Sequence, residues 1–237
     1  MIKFENPVTP SPEQWEAIIR GMRNPKNSWD RMDSVCMQCQ SGMCDICIDY
    51  DECPFSHNPD MKFFTMGEKD HDLMMRLANG GPVHAKYRRM ITVYVDITAP
   101  LYWWKEFDTY KIGTVANSCS TMHKIHENEF VPTDFSCERL GEHSWPVFKA
   151  TIDELNYNRE KFIETKEKQY WEQMIQLLPS SYNQRRTIML NFEVLTNIYH
   201  SRKNHKLQEW HDMCDWIENE LPYSEIIMGG KECKEII

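Results

Sequence analysis

Five of the nine cysteines crowd into one short stretch, spaced Cys36-x2-Cys39-x4-Cys44-x2-Cys47-x5-Cys53, with His57 just beyond. Two Cys-x-x-Cys pairs can present four thiolates to one tetrahedral centre, and thiolate sulfur suits zinc or an iron–sulfur cluster. The spacing does not choose between the two. Its four-residue gap is far shorter than the roughly 15–20 residues between the pairs of an ordinary zinc ribbon. Reduced thiols in a loop are the plain alternative, because a cytosolic chain keeps its cysteines reduced. The segment from Val35 to Pro59 carries few large apolar side chains. Metal ligation by Cys36, Cys39, Cys44 and Cys47 is therefore expected to organise it, with Cys53 or His57 as replacement ligands. Cys119, Cys137, Cys214 and Cys233 stand singly and read as core or surface thiols.

Two other stretches carry polar groups with chemical potential. Thr109–His123 is short on periodicity and rich in hydroxyl side chains, and it holds Lys111, Asn117 and Ser120. Further on stand Asn191, Asn197 and Arg202. A guanidinium fork suits a phosphate, because it donates paired hydrogen bonds while neutralising charge. Each also has an ordinary structural use: an asparagine caps a helix or faces solvent, and Arg202, followed by Lys203, His205 and Lys206, complements a helix C-terminus. The chain has no glycine-rich phosphate loop, no G-x-S-x-G nucleophile elbow and no H-E-x-x-H pair.

The elements that must position these groups follow from hydrophobic spacing. Trp15, Ile18, Ile19 and Met22, behind Ser11-Pro12, predict an opening helix from about Pro12 to Met22. Asp70–Ala78 reads as a short helix ending at Gly80-Gly81, and Ile91, Val93, Val95 and Ile97 alternate as a half-buried strand. Ala99–Phe107 is aromatic and predicted helical, with a weaker strand candidate near Lys111–Val115. The last third predicts helices through Ile152–Ile163, Trp171–Leu178, Thr187–Tyr199 and Leu207–Ile217. Helices flanking few strands indicate an α+β class, not repeated βαβ units. The expected organisation is a helix and turn over 1–34, a Cys-rich module over 35–60 and an α+β domain over 61–237.

The 237 residues carry 27 Lys and Arg against 36 Asp and Glu, a net charge of −9, with 41% apolar residues. That composition fits a folded globular chain. It lacks the basic footprint of a duplex nucleic acid or anionic membrane binder, while a local basic pocket for one small nucleotide stays open. No apolar run reaches the roughly 18–20 residues of a membrane span. The first residues show no charged-then-apolar leader pattern, so a cytoplasmic location is expected.

Over roughly Asp70–Trp210 the chain resembles the flavin-dependent thymidylate synthases, which methylate dUMP with reduced FAD and methylenetetrahydrofolate. In that family a strand leads into an Ala-Pro helix and then R-H-R-x-x-S-x-N-E-x-S-x-R-Y. Here Ile91–Ile97 is followed by Ala99-Pro100 and by Thr109-Tyr-Lys-Ile-Gly-Thr-Val-Ala-Asn-Ser-Cys-Ser120. The R-H-R positions fall on Thr109, Tyr110 and Lys111; Asn117 and Ser120 are retained. The family's Leu-Pro, two asparagines and arginine recur at the same intervals as Leu178-Pro179, Asn191, Asn197 and Arg202. The family's arginine before Leu-Pro is Ile175 here, and the one after the first asparagine is Glu193.

The resemblance implies an α+β fold with a mixed sheet and long helices, built as a homotetramer with sites between subunits. It implies Asn191, Asn197, Lys111 and His205 at FAD, Arg202 and Glu106 at the nucleotide, and Asn117 and Ser120 at the reacting base. Glu106 stands where the family has a glutamine. The expected function is C5 methylation of a pyrimidine nucleotide. The alternative is a non-catalytic scaffold that binds a nucleotide or a protein partner.

Overall fold

The computed structural model describes residues 2–38 and 62–229. From the amino end come β1 (Lys3–Val8), α1 (Pro12–Arg23), β2 (Val35–Gln38), β3 (Lys62–Thr65), α2 (Glu68–Asn79), β4 (Thr92–Pro100) and α3 (Leu101–Phe107). These are followed by β5 (Val115–Ser118), α4 (Trp145–Thr165), α5 (Lys168–Leu177), β6 (Asn183–Asn191), α6 (Phe192–Arg202), α7 (Gln208–Glu220) and α8 (Glu225–Met228). The chain divides into two units. One comprises Met1–Pro7, Tyr94–Met189 and His205–Met213; the other comprises Val8–Val93, Leu190–Asn204 and Cys214–Ile237.

The first unit holds most of a four-stranded sheet ordered β1-β4-β6-β5. Val95, Ile97 and Ala99 of β4 are buried and alternate with more exposed neighbours, the period of a strand with one face covered. β5 runs antiparallel to β6 at the sheet's end, with Asn117 opposite Thr187 and Ser118 opposite Arg186, and all four β5 residues are exposed. Next to the sheet, Trp103, Trp104 and Phe107 of α3 and Trp210 of α7 bury their rings together, with centroids 4.8–5.3 Å apart. Each such ring removes about 150–250 Å² from water, so this cluster dominates the local core. A second apolar cluster joins α4 and α5 to the loop before them through Ile125, Phe130, Phe135, Phe148, Ile152, Leu155 and Met174.

The second unit begins with a capped helix. Ser11 accepts from the Gln14 amide while the Gln14 side chain accepts from the Ser11 amide, a reciprocal capping box with Pro12 in the first turn. Trp15, Ile18, Ile19 and Met22 are buried as their spacing predicts. Trp15 stacks on Phe64 of β3 and meets Phe192 and Tyr223 edge-on. β2 and β3 form an antiparallel pair from Val35↔Thr65 to Gln38↔Lys62, and Lys62 reaches Glu13 of α1 at 2.7 Å. Asp70 of α2 is fully buried and takes Arg23 Nε at 2.5 Å and the amides of Asp33 and Ser34 at 3.0 and 2.8 Å.

Of the elements that differ from the sequence reading, three belong to the four-stranded sheet. The helix expected over Thr187–Tyr199 begins only at Phe192, because residues 183–191 are strand β6. Ile188 and Leu190 are buried at a two-residue interval, but Ile188 and Phe192, four apart, also fit helical spacing, which hides the switch. The strand candidate at Lys111–Val115 lies further on, at Val115–Ser118. β1 carries five exposed residues and has no alternating signal to betray it.

Candidate functional site

In the first unit the aromatic core positions one polar cluster. Glu106, in the last turn of α3, accepts from Trp210 Nε1 at 2.9 Å and faces His205 Nε2 at 3.4 Å. The Leu207 amide donates to His205 Nδ1 at 3.2 Å. The neutral imidazole therefore carries its proton on Nε2, directed at Glu106. Two residues singled out separately in the sequence thus meet, joined by Trp210, which the sequence places only within the predicted Leu207–Ile217 helix. Thr109 donates its hydroxyl to the Glu106 carbonyl at 2.7 Å and closes the end of α3.

Along the loop that follows, Lys111 is exposed and has no ion-pair partner among the described residues. Asn117 is exposed on β5. Ser120 Oγ accepts from the amides of Met122 and His123 at 3.3 and 3.0 Å and so shapes its own turn. The arginines of neighbouring β6 are committed. Arg186 pairs with Asp108 at 2.7 Å and lies 4.2 Å over the Trp104 ring, and Arg185 pairs with Asp96 at 2.7 Å. Hydrogen bonds from Thr187, Asn6 and Arg185 hold the Asp96 carboxyl well below the usual range.

Asn191, Asn197 and Arg202 lie in the second unit, apart in this division from Glu106, Lys111, Asn117, Ser120 and His205. Asn191 is the N-cap of α6, its Oδ1 accepting from the Val194 amide at 3.1 Å. This capping role is the ordinary use the sequence offers, and it leaves the side-chain amino group of Asn191 for other bonds. Asn197 is exposed along α6, and Arg202 is half-buried at its end.

Besides the R-H-R arginines, two more arginines of the resembled family are replaced here, by Ile175 and Glu193. Ile175 is partly buried against the α4–α5 apolar cluster. Glu193 has a buried Oε2 without a hydrogen-bond partner, and its charge acts on Arg88. Burial pushes the Arg88 guanidinium down, and Glu193 and Tyr87 oppose that shift.

A cavity of about 320 Å³, which sequence reading missed, lies in the first unit among Tyr102, Ser136, Cys137, Glu138 and Glu209. Tyr102 donates its hydroxyl to Glu209 there. Burial pushes the Cys137 thiol up, which disfavours a thiolate nucleophile at neutral pH.

Of the four cysteines expected at a metal, Cys36 sits on β2 as a free thiol, while Cys39, Cys44 and Cys47 lie outside the described residues. Among the described residues no three His, Cys, Asp or Glu side chains are placed to hold a metal ion. No helix among them is long and apolar enough to cross a membrane.

No family model matches the chain, and no curated protein matches it. Solved structures do. Thymidylate synthase X from Helicobacter pylori, determined with FAD and dUMP, aligns with a TM-score of 0.60 at 16% identity, over 95% of this chain and 94% of that one. A second structure, of the flavin-dependent enzyme from the same organism complexed with FAD and dUMP, aligns with a TM-score of 0.60 at 15% identity and 95% coverage of both chains. The chain has the thymidylate synthase X fold. The α+β fold expected from the sequence is therefore present, and the likeness spans more of the chain than the Asp70–Trp210 stretch that carries the motifs. The Cys-rich module has no such support.

Proposed function

We propose that this chain is a divergent flavin-dependent C5 methyltransferase acting on a pyrimidine nucleotide of the dUMP type. The observation that carries the reading is the thymidylate synthase X fold over 95% of the chain, shared with structures that hold FAD and dUMP. Asn191, Asn197 and Arg202 at the family intervals support it. In this reading Arg202 and Lys111 meet phosphate, Asn117 and Ser120 meet the base, and Asn191, Asn197 and His205 meet the flavin. Glu106 takes the nucleotide-facing glutamine position, and the assembly is a homotetramer.

The residues fit the cofactor in part. The free amino group of Asn191 and the exposed Asn197 suit the carbonyl-rich edge of a flavin ring. For the diphosphate the loop after α3 offers one uncommitted cation, Lys111. Bound flavin would supply the reducing equivalents that convert a transferred one-carbon unit to a methyl group. The chain's own groups bind and orient the nucleotide.

A second reading, a nucleotide-binding scaffold without catalysis, is favoured by the same charge deficit: Ile175 and Glu193 stand where the family has arginines. Absorbance and calorimetry separate the two. The enzyme reading expects FAD to stay with the protein through desalting, with a band near ~450 nm. It also expects dUMP to bind, and Arg202→Ala to weaken dUMP about tenfold or more. Colourless protein that binds dUMP selects the second reading. Protein that binds neither overturns both.

A further inference from the structure

Among the described residues of the second unit, several uncommitted positive charges gather on one cavity that none of the residues already assigned lines. The end of α1, the two 3-10 turns that follow it (Asn24–Lys26 and Trp29–Arg31) and one face of α2 enclose a cavity of about 670 Å³. That lies within the roughly 300–1,000 Å³ of ordinary small-molecule sites. Its walls carry five cations, Arg23, Lys26, Arg31, Lys69 and Arg76, and one carboxylate, Asp30.

Arg23 forms the rigid part of the wall. It is 3% exposed, with Nε on Asp70 at 2.5 Å and Nη1 on the carbonyl and hydroxyl of Ser28 at 3.3 Å each. Lys26, Arg31 and Lys69 are exposed, and among the described residues none has an ion-pair partner. Arg76 makes only a long contact, from Nε to the Asp72 carbonyl at 3.4 Å. Asp30 and Asp70 balance two of the five cations, which leaves three positive charges converging on a concave surface of a chain whose net charge is −9. Such a surface concentrates the field and raises the local concentration of anions.

We propose that this cavity binds a small molecule bearing two linked phosphates. A diphosphate ester carries about three negative charges at neutral pH, which matches the uncompensated charge, whereas a single phosphate carries at most about two. Two guanidinium forks and two ammonium groups suit the several oxygens of a diphosphate chain. Buried Leu73 gives the wall one apolar patch, and Asn27 and Ser28 add hydrogen-bonding groups. None of Asn191, Asn197 and Arg202 lines the cavity.

The test is calorimetry on the full chain with inorganic pyrophosphate and with orthophosphate, at low and at physiological salt. Pyrophosphate is expected to bind about tenfold or more tightly than orthophosphate, with affinity falling as salt rises. Lys69→Ala and Arg31→Ala remove exposed side chains, and thermal melting checks that the variants fold. Each is expected to weaken pyrophosphate about tenfold, with Arg31→Lys recovering part of the loss, while Arg202→Ala leaves it unchanged. Equal binding of the two anions overturns the proposal. So does a change under roughly twofold in the Lys69 and Arg31 variants, or a loss of pyrophosphate in Arg202→Ala. Failure of dUMP to bind, with pyrophosphate bound as expected, removes the proposed function and leaves this site standing.

Discussion

Replacing Asp70 by asparagine tests the reasoning about the second unit most sharply. Asp70 is fully buried, and its partner Arg23 is 3% exposed. The substitution keeps the shape and an oxygen that can still accept from the Asp33 or Ser34 amide. It removes the charge and turns an amino group toward Arg23 Nε, which sits 2.5 Å from the carboxylate in the native chain. Breaking a buried ion pair from one side costs about 3–5 kcal/mol, because the remaining charge is left uncompensated. The retained amide bond places the expected loss near the lower end, about 3 kcal/mol. That is a large share of the roughly 5–15 kcal/mol that holds a typical domain folded. With a urea slope of about 2 kcal/mol/M, the unfolding midpoint should fall by about 1.5 M at unchanged slope. Tryptophan fluorescence follows the transition.

The pH dependence gives a second readout of the same pair. Burial, the largest single influence, pushes the Asp70 carboxyl up, but hydrogen bonds from Ser34, Asp33 and Arg23 together hold it below its ordinary 3.8. A depressed carboxyl contributes stability that is fully present above the unfolded value and is lost as pH falls through the folded one. The gap between native protein and Asp70→Asn should therefore be constant near neutral pH and narrow below about pH 4. A midpoint shift under roughly 0.3 M, or a gap that does not narrow in acid, refutes the account of Asp70 as the anchor of this corner.

Three further outcomes follow from single contacts. Gly67→Ala would place a Cβ 2.2 Å from Asp33 Oδ1 and 2.4 Å from the Asp33 carbonyl carbon, so it should cost about 1–3 kcal/mol, read as a drop in melting temperature of roughly 2–4 °C per kcal/mol. Asn191→Ala removes the α6 cap and should cost about 1 kcal/mol, with Asn191→Asp recovering most of it in chemical denaturation; an unchanged midpoint in Asn191→Ala would show the cap to be idle. Cys214 is buried and its thiol is pushed up to about 11 by burial, whereas Cys119 is exposed. Mass spectrometry of briefly alkylated native protein should find Cys119 modified and Cys214 only after unfolding.

What the sequence shows well is burial, and what it shows poorly is commitment. The spacing of Trp15, Ile18, Ile19 and Met22 announces α1 because a solvent-facing helix must hide one stripe. The alternation in β4 works the same way. β6 defeats this reasoning because Ile188 and Phe192, four residues apart, satisfy both periods across the change from strand to helix, and only Leu190 between them marks the strand. At the candidate site, residue type and interval mark Asn191, Lys111 and Glu106 as chemically able. Whether such a group is free depends on partners distant in sequence: Glu106 on Trp210, Arg186 on Asp108, Arg23 on Asp70. No interval rule expresses those pairings. The basic cavity drew no notice for the same reason, since its cations are spread singly over Arg23–Arg76 and converge only in three dimensions.

The departures from the family motif share a physical pattern. Ile175 is absorbed into an apolar cluster, Thr109 closes α3 through the Glu106 carbonyl, and Glu193 lies where its charge supports a buried Arg88. Each replacement does structural work that an arginine in its place would disturb. A guanidinium at 175 would enter an apolar cluster, and one at 193 would stand within the field of Arg88 without a counter-charge. Reverting these positions singly should therefore destabilise the chain and not restore anion binding. The fold tolerates this because it rests on apolar burial, as in the tryptophan cluster of α3 and α7, whose charged neighbours Glu106 and Arg186 meet the indole N–H and a ring face without entering it. Anion recognition needs only a few convergent cations on a firm wall, and the Arg23–Asp70 pair provides such a wall in the second unit. On this argument, dUMP and pyrophosphate titrations of the same preparation measure two independent properties of one scaffold, and neither result predicts the other.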